Sequence, residues 1–124
     1  MQAEVRVDRG RRANLAGAAA EDVVARHYEG IGRTVCARRW RGQWGEIDLI
    51  ARDGHQLVLV EVKHSRTHDE AMTHITQGQV ERIFTTAAEY VAGHRSEDPV
   101  DLRFDLALVD RMGKVVVHEN FWVN

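Results

Sequence analysis

Two apolar runs, residues 46–52 and 56–63, stand on either side of Asp53 and Gly54. An Asp-Gly pair between hydrophobic segments is a strong signal for a β-hairpin, and a hairpin this apolar should be largely buried. Yet its open end carries Glu46, Asp48, Glu61 and Lys63 at alternating positions. Burying such groups without partners is costly, roughly 2–7 kcal/mol even for a neutral polar group. A fold tolerates the arrangement where carboxylates hold a metal ion and a lysine works beside it.

Side chains alternate across a strand with period two. Glu46, Asp48 and Ile50 therefore share one face of the first run, and Leu57, Leu59, Glu61 and Lys63 share one face of the second. A two-residue loop pairs Arg52 with His55 and sets Glu46 opposite Glu61. A four-residue loop pairs Arg52 with Leu57 and sets Asp48 opposite Glu61. Either register keeps Asp48, Glu61 and Lys63 on one face, and only an odd-length loop separates them.

Two carboxylates about 4 Å apart repel by about 4 kcal/mol at an effective dielectric of 20. A divalent cation removes that penalty, and oxygen-only ligands favour Mg²⁺ or Mn²⁺ over zinc. Protonation of one acid, or an ion pair with Lys63, is the alternative. Lys63 is no metal ligand; it suits orienting or deprotonating a water, or neutralising a phosphate. A third acid, Glu21, lies at the border of a helical apolar stripe beside Gly17, Val24 and Tyr28, placed to lean over the sheet. A first-turn acid favoured by the helix dipole is the other reading, and the residues alone leave both open.

The formal net charge of −2 argues at first against a nucleic-acid partner, but its distribution does not. Residues 1–41 hold nine arginines against five acids, and residues 42–124 hold eight basic residues against fourteen acids. A basic front half before an acidic pocket suits a protein that grips phosphates beside a carboxylate site; ordinary solubility charge is the plainer reading.

Residues 1–12 read as a basic N-terminal arm, irregular and flexible, and residues 13–124 as a single domain. Ala16, Ala20, Val23, Val24, His27 and Ile31 recur at helical spacing from Ala13 to Gly30, with Asn14 as N-cap and Gly30 and Gly32 as the stop. Strands are expected over residues 34–40, 46–52, 56–63, 101–109 and 114–119, a loop over 64–75, and a second helix over 76–92. The fold class is α/β, a mixed central sheet flanked by helices. The first residues carry no apolar signal region and no run is long enough to span a bilayer, so a cytoplasmic protein without a membrane partner is expected. The single cysteine, Cys36, excludes an internal disulfide and reads as a buried, inert thiol in an apolar strand. His64, His68 and His74 invite a zinc reading, but ordinary exposed histidines fit their loop better. Trp40 and Trp44 flank Arg41 and are placed to stack on bases; Trp40 serves equally as core.

An acid followed at a short interval by Glu-x-Lys, in an αβββαβ order, resembles the PD-(D/E)xK nuclease superfamily. The closer likeness is to the small YraN-like family of bacterial proteins of predicted nuclease character. It rests on Gly17, Glu21, Ala25 and Tyr28; on residues 37–41 before residues 45–51; on residues 60–63; on Arg82 and Ile83 with residues 87–90; and on residues 103–105 and 120–122. The Glu-x-Lys triplet alone is a weak signal, whereas residues 45–51 followed ten residues later by Glu61-Val62-Lys63 form a strong one. The resemblance implies a restriction-endonuclease-like αβββαβ core. It implies Mg²⁺ or Mn²⁺ held by Asp48, Glu61 and the backbone carbonyl of Val62, with Lys63 catalytic and Glu21 an outer ligand. It also implies a supporting polar residue on the second helix: Gln79, where YraN-like chains tend to carry lysine, or Gln77.

The leading expectation is a metal-dependent endonuclease acting on DNA, branched or otherwise structured duplex being one candidate form. Arg11, Arg12, Arg38, Arg39, Arg41 and Arg66 would bind phosphates and Trp44 would stack on bases. The alternative is a nucleic-acid-binding or assembly module that keeps the fold with little or no turnover. A homodimer is expected by analogy with small nucleases that engage two strands.

Overall fold

The glycines at the end of the first helix act where the sequence puts them. In the computed structural model, which describes the backbone of residues 2–94 and 100–123 and the side chains of residues 16–94 and 100–123, helix α1 (Gln2–Gly30) stops at Gly30. Gly32 then takes a left-handed φ of 84°, and the Arg33 amide closes back on the Tyr28 carbonyl at 2.9 Å. The other end differs from expectation. The helix runs back to Gln2, so residues 2–12 of the arm expected to be irregular are helical, residue 1 lies outside the described residues, and Asn14 lies inside the helix instead of capping it. The side chains of Arg11 and Arg12 lie outside the described residues. The buried face is also rotated from the expected stripe: Ala20, Val24, Ala25 and Tyr28 are buried, while Ala16 and Ile31 are exposed.

Strands β1 (Thr34–Arg41), β2 (Glu46–Asp53) and β3 (Gln56–His64) form an antiparallel meander. The segment expected as a loop after β3 contains a short helix, α2 (His68–Met72), whose N-cap Thr67 accepts a hydrogen bond from the Glu70 amide. Five residues are too few to show a helical period, but the Thr67…Glu70 spacing was the available signal. Helix α3 (Gln77–Gly93) opens with a reciprocal capping box between Thr76 and Gln79 and buries Val80, Ile83, Thr86, Ala87 and Tyr90 at helical spacing. Strand β4 (Asp101–Val109) then lies parallel to β3, and β5 (Val115–His118) returns antiparallel to β4.

The result is a five-stranded mixed sheet in the order β1-β2-β3-β4-β5. One parallel pair forces a crossover, and α2 and α3 supply it. Leu57, Leu59, Phe104, Leu106 and Leu108 face α3, whereas Leu49, Ala51, Val58, Val60, Ala107 and Val109 face α1. The central strands are apolar on both faces because each face is covered by a helix. This is the mixed α/β, restriction-endonuclease-like core expected from the sequence. β1 is an edge strand, which corrects the reading of Cys36: its thiol is free and exposed, not buried.

Candidate active site

The β2–β3 register decides which charged groups meet. Arg52 pairs with Leu57, Ile50 with Leu59 and Leu49 with Val60, the second of the two registers open from sequence; the turn itself shrinks to Gly54 and His55, with Gly54 at φ 58°. One step further, Asp48 comes opposite Glu61. There a side chain takes over from the backbone ladder, because the Val62 amide donates to Asp48 Oδ2 at 2.8 Å. The two strands thus part at the charged end, and Asp48 is held in one orientation with Oδ1 left to other partners.

Glu61 and Lys63 lie two residues apart on the same face, with Lys63 Nζ 3.2 Å from Glu61 Oε1. Both side chains are mostly buried, at 18% exposure for Lys63 and 14% for Glu61. Burial pushes the Glu61 carboxyl up to about 7, the negative charge of Asp48 adds to that, and Lys63 opposes it. Burial also raises Asp48, against the bond from the Val62 amide.

Glu21 does lean over the sheet from α1, near enough that its charge bears on Asp48. Its Oε2, however, accepts a 2.8 Å bond from Arg39 Nε. Gln79 reaches the site's rim: with Gly45, Glu46, Glu61, Arg82 and Ile83 it lines a small cleft of about 160 Å³. Its Oε1 is occupied in the helix cap, accepting from the Thr76 amide at 3.1 Å, and Gln77 instead bonds Glu81 at 3.3 Å. Glu46 was read as part of the charged hairpin but given no role at the site, and Arg82 was given none either. The three-residue helical step from Gln79 was the signal available for Arg82.

Among the described residues, the arginines expected to meet phosphate are paired with acids. Arg38 bonds Asp22 at 2.6 Å, Arg41 lies 3.5 Å from Glu46, and Arg66 lies 2.8 Å from Glu70. Exposed pairs of this kind contribute only about 0–1 kcal/mol, so a phosphate competes for the arginines at little cost. Trp44 is exposed, whereas Trp40 is half-buried and packs edge-on against Tyr90 at 5.3 Å. His68 bonds the Lys114 carbonyl at 2.9 Å and sits 3.8 Å from Asp110.

Among the described residues no three His, Cys, Asp or Glu side chains gather into a metal-holding group. The donors present still fit Mg²⁺ or Mn²⁺. Mg²⁺ is bound through one or two carboxylates and keeps several waters, and Asp48 and Glu61 are two carboxylates brought to the same end of β2 and β3, beside the Val62 amide and Lys63.

Residues 20–109 match the family described as "Uncharacterised protein family UPF0102". That span holds every side chain of the cluster from Glu21 to Arg82. The chain belongs to the UPF0102 family, the YraN-like family. It is 48% identical over 111 residues to a UPF0102 protein of Cereibacter sphaeroides strain ATCC 17025, covering 90% of this chain and 95% of the relative. A UPF0102 protein of Ruegeria pomeroyi is 46% identical over 90% of this chain and 91% of its own length. One of Roseobacter denitrificans is 46% identical over 96% and 92%. Among the described residues of this UPF0102 chain, no helix is long and apolar enough to cross a membrane.

Proposed function

We propose that this UPF0102 protein is a metal-dependent endonuclease that hydrolyses phosphodiester bonds in DNA. One observation carries the reading: Asp48, Glu61 and Lys63 occupy the parted end of β2 and β3, with both acids pushed upward in pKa. Asp48, Glu61 and the Val62 carbonyl would hold Mg²⁺ or Mn²⁺, with Glu21 as an outer ligand. When bound, the cation supplies Lewis acidity at the scissile phosphate and lowers the pKa of a water. The Val62 amide keeps Asp48 aimed. Lys63, with three donors on one nitrogen, orients a water and offsets charge on the phosphate. Arg38, Arg39, Arg41 and Arg66 exchange their carboxylate partners for flanking phosphates, and Trp44 offers an exposed face for stacking.

The test is incubation of the full chain with labelled linear, single-stranded and branched DNA in Mg²⁺ or Mn²⁺. Asp48→Asn, which keeps an acceptor for the Val62 amide, and Lys63→Ala are each expected to cut cleavage by at least a hundredfold. Cleavage that survives unchanged in both variants defeats the assignment. DNA binding indifferent to Asp48, with no cleavage by any form, supports the binding-module reading instead.

A further inference from the structure

Arg39 breaks the geometry of its strand. It is a non-glycine residue at φ 47°, left-handed backbone that arginine rarely adopts. Three residues earlier, β1 carries an irregularity at Cys36, where the register shifts between Val35 and Ala37. Consecutive strand residues should point to opposite faces. Here Arg38 and Arg39 both reach α1, Arg38 to Asp22 and Arg39 to the neighbouring Glu21.

The register also matters. Arg38 pairs with Leu49 and Trp40 with Ile47, which puts Arg39 opposite Asp48 on β2. Asp48 in turn stands opposite Glu61 on β3. Arg39 is therefore the cation at one end of an acidic row, and its guanidinium feels Glu21 first, then Glu46 and Asp48. Its bond to Glu21 uses Nε, and 54% of its side chain is exposed against 18% for Glu21. A guanidinium fork binds carboxylate and phosphate with the same geometry, so a solvent-facing arginine on a sheltered acid is placed to trade one for the other.

We infer that Arg39 is an exchangeable counter-ion that couples DNA binding to metal binding. Without a phosphate it holds Glu21 and so keeps that carboxylate from a cation at Asp48 and Glu61. A backbone phosphate draws the guanidinium off Glu21, and the freed carboxylate then turns to the cation. Arg39 is a positioning residue in this scheme, acting through Glu21. The inference rests on the metal-site reading of Asp48 and Glu61. Linkage requires that each ligand tighten the other by the same factor, about tenfold for an ordinary coupling.

The experiment measures Mn²⁺ affinity calorimetrically on the full chain, with and without a saturating short DNA duplex. A Lys63→Met background prevents turnover, and thermal unfolding checks that each protein is folded. In that background the duplex is expected to tighten Mn²⁺ about tenfold. Adding Arg39→Asn, whose side chain tolerates the left-handed backbone, is expected to give tight Mn²⁺ binding without DNA and to abolish the tightening. Adding Glu21→Gln to that protein should reverse the gain. Arg39→Lys, which keeps the charge and loses the fork, is expected to show at most a third of the tightening. Duplex-induced tightening that persists in Arg39→Asn overturns the inference. So does an Arg39→Asn gain that survives Glu21→Gln, because it would come from charge deletion alone. Mn²⁺ binding undiminished by Asp48→Asn defeats the metal-site reading itself, an outcome separate from both.

Discussion

Glu61 makes the stability of the metal-free protein depend on pH. Its folded-state pKa lies near 7, above an ordinary glutamate value near 4.3 in the unfolded chain. Between those values the folded state binds more protons than the unfolded state, so stability falls as pH rises across that window. The loss is on the order of 3 kcal/mol once both forms are ionised, and the raised pKa of Asp48 has the same sign. In EDTA, Glu61→Gln should therefore unfold at higher temperature than wild type at pH 8 and at nearly the same temperature at pH 4.5. Equal melting temperatures at both pH values would show that burial leaves Glu61 unstrained. The Glu61–Lys63 pair was legible at this scale because residues two apart on a strand share a face. The acid that pairs with Arg39 was not, because a single positive φ overrides that alternation.

At the scale of elements, α3 serves two ends through one residue. Gln79 closes the capping box with Thr76 and also lines the cleft beside Glu61. Loss of an N-cap side chain costs about 1 kcal/mol, so Thr76→Ala should lower stability by that amount in a denaturant titration. Gln79→Glu keeps a favoured capping partner and should leave stability within about 0.5 kcal/mol. Cleavage lost in Gln79→Glu with stability intact would separate a role at the site from the role in the cap. The β1–β2 turn depends on α3 as well. Glu89 Oε2 accepts from the Gln43 amide at 2.7 Å, and a Cβ at Gly45 would sit 3.0 Å from Thr86 Oγ1. A side chain at position 45, just before the site strand, would therefore press on Thr86 of α3. The hairpin and α3 were readable from turn residues and helical period. The backward run of α1 and the short α2 were not, since neither presents a complete amphipathic period.

Across the whole molecule, one buried carboxylate ties together parts distant in sequence. Asp105 on β4 is fully buried; it accepts from Tyr28 Oη at 2.7 Å, from Arg103 Nε and Nη2 at 2.8 and 2.9 Å, and from the Asn120 amide at 3.1 Å. Arg103 continues to Gln56 Oε1 at 3.1 Å, so α1, β3, β4 and the segment after β5 meet in one network. Burial and the neighbouring Asp105 hold the Tyr28 phenol far above its usual pKa, which keeps it a donor. Removing one member of a buried charge pair costs about 3–5 kcal/mol, against about 5–15 kcal/mol for a whole domain. Asp105→Ala should therefore lower the denaturation midpoint severely, while Tyr28→Phe should cost about 1.5–3 kcal/mol; Asp105→Ala within 1 kcal/mol of wild type would show the network to be dispensable. The amino-acid sequence by itself determined the strands, the turn between them and the helix stops, because those follow from local periodicity and backbone preference. Only the tertiary structure decided which carboxylates sit beside which guanidinium groups, that Cys36 lies on an open edge, and that Asp105 is the buried junction of four segments. Those outcomes depend on register, strand order and helix rotation, which are set by long-range packing.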